Sequence, residues 1–195
     1  ALRDLFLFLM HLDRGRRTEL ITRVVDNAAR FVDQNEAYGW VIRLHQKYPG
    51  DIGVLAPLML NLMRLQPGEA VFLPAGQLHA YLDGFGIEVM ANSDNVLRGG
   101  LTPKHVDVRE LMTILDFRPY KPETLTPHFQ TDTEGIYDSP ADSFRLSQLT
   151  IAARQPHEVP ERPEGPEIIL GVEGAAVIRK GHGEGDTTIG KGESV

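Results

Sequence analysis

The sequence contains no cysteine, which excludes disulfides, thiolate-held zinc and thiol catalysis. Any metal must be held by imidazole, carboxylate, amide or water. No run of 18 uncharged apolar residues is present, so nothing reads as a membrane-spanning helix and no membrane partner is expected. Positive charge is in deficit: 20 Lys and Arg stand against 27 Asp and Glu, a net −7. Nucleic acid is bound chiefly through cationic side chains, so no nucleic-acid partner is expected. One small phosphorylated ligand needs only a local cationic pocket and stays open. Breakers are missing from one region. All 13 prolines fall at Pro49 or later, and only Gly15 and Gly39 interrupt residues 1–48. The first quarter therefore favours helix, and the rest is rich in turn formers.

What is present suits a folded chain. Its 195 residues fit one large or two small domains, and 42% apolar with 24% charged residues argues against wholesale disorder. Residues 1–50 carry eight basic and six acidic groups, and residues 121–195 carry seven and thirteen, so the acid excess lies mostly in the last third. Ala1–Met10 holds Arg3 and Asp4 and has too short an apolar run for a signal peptide, which makes a cytoplasmic protein the expectation. A monomer is favoured. A chain opening on Ala1 in mid-pattern is expected to lack its true beginning.

Residues 1–48 are expected to form three helices. Leu2, Leu5, Phe6, Leu9 and Leu12 make one apolar stripe. Thr18 is expected to cap a second helix burying Ile21, Val24, Val25, Ala28 and Val32. Asn35 is expected to cap a third, with Ala37, Trp40, Val41 and Leu44 inward, and Tyr48-Pro49-Gly50-Asp51 ends it. The period then changes to two. Leu58, Leu60 and Leu62 read as a strand, as do Ala70–Leu73, Leu78–Leu82 and Ile87–Ala91, the last two joined at Asp83-Gly84. Asp107 and Glu110 open a helix over Leu111, Met112, Ile114 and Leu115. Residues 118–142 read as a long connection. Strands are expected at 144–152, 167–172, 175–180 and 187–189, with Gly181–Gly185 as a hairpin tip. An internal echo links Pro67-Gly-Glu-Ala-Val to Lys191-Gly-Glu-Ser-Val. The second copy stops where the first runs on, so the last domain is expected to be cut short.

Polar chemistry is densest from His79 to Lys104, which holds His79, Tyr81, Glu88, Asn92, Asp94, Asn95, Arg98 and Lys104. His79 reads locally either as a hydrogen-bonded structural histidine or as a metal ligand. His11, His45, His105, His128, His157 and His182 are scattered and read as surface or structural histidines. Arg98 and Lys104, six apart around Gly99-Gly100, suit an oxyanion or phosphate, or belong to a solvated loop. Glu88 and Asp94 nearby could supply acid–base groups.

Three segments carry a family resemblance: Tyr48-Pro-Gly-Asp-Ile-Gly-Val-Leu-Ala-Pro-Leu-Met-Leu-Asn; Leu65-Gln-Pro-Gly-Glu-Ala-Val-Phe-Leu-Pro-Ala-Gly-Gln-Leu-His-Ala-Tyr-Leu; and Ile87-Glu-Val-Met-Ala-Asn-Ser-Asp-Asn-Val-Leu-Arg-Gly-Gly-Leu-Thr-Pro-Lys-His-Val-Asp-Val. Over residues 48–117 the chain resembles the type I mannose-6-phosphate isomerases (phosphomannose isomerases). The resemblance implies a mixed, mainly β fold of cupin-type jelly-roll domains with an N-terminal helical segment. It divides the chain into a helical insert (1–50), the second half of the catalytic cupin domain (51–117) and a truncated cupin-like domain (118–195). It also implies Zn2+ as cofactor and a small sugar phosphate as partner. His79 matches the family's late zinc ligand, and Arg98 its catalytic arginine. Tyr81, Glu88, Asp94 and Lys104 match positions lining the sugar-phosphate pocket. The family's other three ligands, a Gln-x-His pair and a glutamate, belong to an N-terminal β segment that nothing in residues 1–50 matches. The chain is therefore expected to carry one ligand of four.

The implied reaction interconverts mannose 6-phosphate and fructose 6-phosphate by moving a proton between C1 and C2. Glu88 and a residue upstream are the candidate carbon bases. A non-enzymatic cupin module binding a sugar or sugar phosphate is the alternative reading.

Overall fold

A computed structural model describes residues 1–93, 96–158, 165–179 and 185–195. The chain divides into two units, Ala1–Thr150 and Ile151–Val195. The expected borders near 50 and 117 both lie inside the first unit.

The three expected helices are present as α1 (Leu2–Met10), α2 (Arg14–Ala28) and α3 (Glu36–Lys47). Asn35 caps α3 as expected, its side chain accepting from the Ala37 N–H at 2.9 Å. The cap of α2 is Asp13, not Thr18: the Asp13 carboxylate accepts from the Arg16 N–H at 3.0 Å. Arg14–Arg17 contains no apolar residue, so hydrophobic periodicity starts a turn later than the helix does. Thr18 instead turns its hydroxyl back to the Arg14 carbonyl at 2.9 Å. The helix ends before Val32, which is exposed.

Leu9, Leu12, Ile21, Val41 and Leu44 pack into one core with Ile52, Val54 and Leu55. The last three come from a 3₁₀ helix, Ile52–Leu58, that the sequence reading missed. Asp51 caps it and offsets the turn formers on either side. The strand expected over Leu58, Leu60 and Leu62 does not form. A strand is stabilised by its neighbour, and these residues have no ladder partner among the described residues. α4 (Val108–Ile114) is capped by Asp107 as expected and buries Leu111. Next to it, Phe117 stacks at a tilt on Phe6 of α1, with centroids 5.7 Å apart.

The sheets are small and antiparallel. β1 (Ala70–Val71) pairs with β2 (Thr124–Leu125), and β3 (His128–Phe129), β4 (Glu134–Tyr137) and β5 (Leu146–Leu149) form a second sheet in that order. Residues 118–142 are therefore not a bare connection. Their few aliphatics, Leu125 and Ile136 among them, suffice because each strand is two to four residues long. In the second unit, β6 (Ala175–Ile178) pairs with β7 (Thr187–Gly190), Ala175 facing Gly190 and Ile178 facing Thr187. The expected strand at 167–172 reduces to a bridge of Leu170 with Ser194, flanked by Ile169–Val195 backbone bonds. The expected tip at 181–185 lies outside the described residues except for Gly185.

The sequence echo is also an echo of structure. In each copy a glycine at positive φ (Gly68 at 85°, Gly192 at 83°) shapes the turn. In each, the following glutamate closes it twice. The Glu69 N–H donates to the Gln66 carbonyl, and Glu69 Oε2 accepts from the Gln66 N–H at 2.7 Å. Glu193 does the same to Gly190, with Oε2 accepting at 2.8 Å.

The mixed class expected from sequence holds. Helices fill most of the first 58 residues, and beyond them strands recur with α4 as the one helix among the described residues. Among those residues no helix is long and apolar enough to cross a membrane.

Replacing the true cap, Asp13→Ala, should lower the urea midpoint of unfolding. Thr18→Ala should leave it unchanged or slightly raised, because Thr18 lies inside the helix, where alanine is the better helix former. A larger loss in Thr18→Ala than in Asp13→Ala would contradict this assignment.

Candidate functional site

His79 and Tyr81 lie two apart on an extended segment and project to the same side, their rings meeting edge-on with centroids 6.1 Å apart. Leu82 turns the other way and packs against the helical core. The chain reverses at Asp83-Gly84, and Glu88 comes back opposite Tyr81. The phenol donates to Glu88 Oε1 at 2.8 Å. The reversal is thus the expected one, but Leu78–Leu82 and Ile87–Ala91 form no backbone ladder and are not strands. In the first segment alternation still sends Leu82 to the core and Tyr81 to solvent, whereas residues 87–91 are exposed throughout.

The His79 ring is fixed by its own backbone. Nδ1 lies 3.0 Å from the Gln77 carbonyl, which can only accept, so Nδ1 carries the hydrogen. In the neutral ring that leaves the Nε2 lone pair outward, the arrangement usual for a metal-binding histidine. Among the described residues no group of three or more His, Asp or Glu side chains is placed to hold a metal. His79 is therefore available as a single ligand.

Tyr81 is 73% exposed, yet its pKa is pushed up to about 12. Partial desolvation is the largest cause, followed by the hydrogen bond to Glu88 and by its negative charge. The phenol is consequently a neutral donor at physiological pH that holds Glu88 in place.

Arg98 and Lys104 approach from a second segment. Gly99 lies so close to Leu78 that an added Cβ would overlap its Cδ1. This contact brings the neighbour of Arg98 against the neighbour of His79. Both cations are exposed, and Arg98 has no hydrogen-bond or ion-pair partner among the described residues. Lys104 lines a cleft of about 510 Å³ with Arg17, Asp51, Gly100 and Thr102. Asp94 lies outside the described residues.

Sequence reasoning missed Asp51. Its Oδ1 accepts from the Gly53 N–H at 2.7 Å and its Oδ2 from the Thr102 N–H at 3.2 Å. An Asp before an apolar helix was a cap signal, but no local pattern announces a partner 51 residues away.

The chain is similar to curated mannose-6-phosphate isomerases. That of Salmonella typhimurium is 39% identical over 181 residues, covering 92% of this chain and 45% of that protein. That of Cryptococcus neoformans is 38% identical, covering 93% and 44%, and that of Mus musculus 35%, covering 94% and 46%. The chain spans under half the length of these relatives. Two solved structures of phosphomannose isomerase from Salmonella typhimurium match 99% of this chain and 48% of theirs. An arginine-to-alanine mutant is 36% identical with a TM-score of 0.79, and a lysine-to-alanine mutant 32% with 0.75. No family model matches the chain. The likeness in sequence and in fold covers nearly all of this chain, so its fold class is that of the phosphomannose isomerases.

Tyrosinate absorbance at 295 nm, taken as the difference between the wild type and Tyr81→Phe, should titrate Tyr81 near pH 12. Glu88→Gln should bring the midpoint part of the way back toward 10, because desolvation remains. The raised value means the folded chain holds the proton more tightly than the unfolded one. The associated stability is complete below pH 10 and is lost as pH rises through 12. A midpoint of 10 in the wild type would refute the pairing.

Proposed function

We propose that the chain is the C-terminal portion of a type I mannose-6-phosphate isomerase, a cytoplasmic, zinc-dependent enzyme. Its reaction interconverts mannose 6-phosphate and fructose 6-phosphate. The observation carrying this reading is the junction at Leu78 and Gly99, which draws the row of His79, Tyr81 and Glu88 toward the segment of Arg98 and Lys104. These segments lie in the region with the strongest family resemblance. The exposed apolar run beside them also supports a longer parent: Phe85 is 97% exposed, and Ile87, Val89 and Met90 are exposed too. In a cupin-type jelly roll such residues would face a partner sheet.

Aldose–ketose isomerisation requires a base for the proton carried between C1 and C2. It also requires a cation for the charge that develops on the oxygens. Arg98 is permanently charged and unpaired among the described residues, so it is free to meet that oxyanion. Glu88 is a candidate base, an upstream residue of the parent the other. The phenol of Tyr81 holds the carboxylate in one orientation. Lys104, in the cleft, is suited to the phosphate or a sugar hydroxyl. Asp94 keeps only the role the family resemblance implies for it, in the sugar-phosphate pocket. His79 would hold zinc through Nε2, the remaining ligands coming from the parent's upstream segment. Zinc, when bound, supplies Lewis-acid polarisation or orientation of the sugar oxygens. The reading includes a monomer.

The full-length parent should isomerise mannose 6-phosphate, and Arg98→Ala in it should lower kcat by about 10²–10³-fold. A mutant as active as the parent would remove Arg98 from its role. In equilibrium dialysis the parent should hold one zinc that His79→Ala loses, while residues 1–195 alone bind zinc weakly. Tight, His79-dependent zinc binding by the isolated chain would overturn the division of ligands.

A further inference from the structure

The carboxylate of Asp51 ties the loop bearing Arg98 and Lys104 to the 3₁₀ helix. Asp51 Oδ1 accepts from the Gly53 N–H at 2.7 Å and so caps the 3₁₀ helix. Oδ2 reaches across to the Thr102 N–H at 3.2 Å, and the Thr102 hydroxyl in turn accepts from the Lys104 N–H at 3.2 Å. The backbones meet too closely for side chains. A Cβ on Gly53 would lie 2.9 Å from the Leu101 nitrogen, and one on Gly100 would lie 3.0 Å from the Gly53 Cα. Between these bonds the chain is held in an unfavoured form: Gly100 has φ 135° and Leu101 φ 54°, a region that a leucine rarely occupies. Leu101 itself is packed against the helical core. Strain of this kind persists only where the surroundings over-determine it.

We propose that Asp51 is a positioning residue for the isomerisation. Through Thr102 it sets the backbone that carries Arg98 three residues before Leu101 and Lys104 two residues after Thr102. This rests on the functional reading above. Asp51 does not itself contact the sugar; it acts through the two cations.

Asp51→Asn separates the clasp from the cap. Asparagine caps helices well and retains an acceptor for the Gly53 N–H, but its amide NH₂ cannot accept from the Thr102 N–H. In the full-length parent this variant should lower kcat/KM for mannose 6-phosphate about tenfold, because small misplacements of catalytic groups are costly. In an Arg98→Ala background the same change should cost under about threefold, since residues acting through one another are not additive. Thr102→Ala, which keeps the clasp and removes only the hydroxyl that accepts from the Lys104 N–H, should raise KM by about threefold with kcat nearly kept. Amide hydrogen exchange should quicken at Thr102 in Asp51→Asn while Val54 and α3 stay protected.

Equal losses with and without Arg98, or unchanged exchange at Thr102, would overturn the proposal. If Asp51→Asn does not fold, Asp51→Ser, which still caps a helix but lacks the second oxygen for the Thr102 N–H, decides, and an unchanged kcat/KM overturns the proposal. A wild-type parent that leaves mannose 6-phosphate unchanged overturns the functional reading and the catalytic part of this one. The exchange result then still decides whether Asp51 orders the loop.

Discussion

Asp51 joins the two halves of the site region. One carboxylate satisfies two backbone N–H groups that lie 49 residues apart in sequence, Gly53 and Thr102. Hydrogen bonds to a charged acceptor contribute about 1.5–3 kcal/mol each, roughly twice a neutral one. The bond to Gly53 starts the 3₁₀ helix, whose Ile52, Val54 and Leu55 complete the core under α1, α2 and α3. The bond to Thr102 fastens the Gly99-Gly100 segment to that core. Glycine is required at both faces of the contact because the backbones approach within the radius of a methyl group.

The helical core serves the site by anchoring leucines. Leu82 and Leu101 both pack on it, one residue after Tyr81 and three after Arg98. With Leu82 fixed inward, the alternation of extended chain presents His79 and Tyr81 to solvent, and Arg98 and Lys104 are exposed on either side of the anchored Leu101. The electrostatics there are uneven. Glu88 has its partner in Tyr81, whereas Arg98 is uncompensated among the described residues, a locally exposed positive charge in a chain of net −7.

Much of this was legible in the residues themselves. The helices over Leu2–Met10 and Glu36–Lys47, with the Asn35 and Asp107 caps, followed from apolar period and capping chemistry, which are local. The turn repeated at Gly68 and Gly192 did too, since Pro-Gly-Glu and Lys-Gly-Glu encode the same dihedrals and the same closing carboxylate. The strands were legible only as alternation. Leu58, Leu60 and Leu62 alternate but have no ladder partner among the described residues, while the unpromising stretch 124–137 supplies three strands because partners lie beside it. Strand identity is a property of a pair, which one segment cannot reveal.

The sequence by itself determined the chemistry available: no thiols, one histidine and two cations within a polar stretch, and a Tyr and Glu set to meet across a Gly turn. Short-range forces act between residues close in the chain, so caps, turns and helix faces can be read directly. Tertiary structure alone decided which distant segments touch. It placed Thr102 on Asp51, Gly99 on Leu78 and Phe117 on Phe6. Those contacts depend on burial of the whole apolar surface and on backbone clearances, and these exist only once the chain has folded.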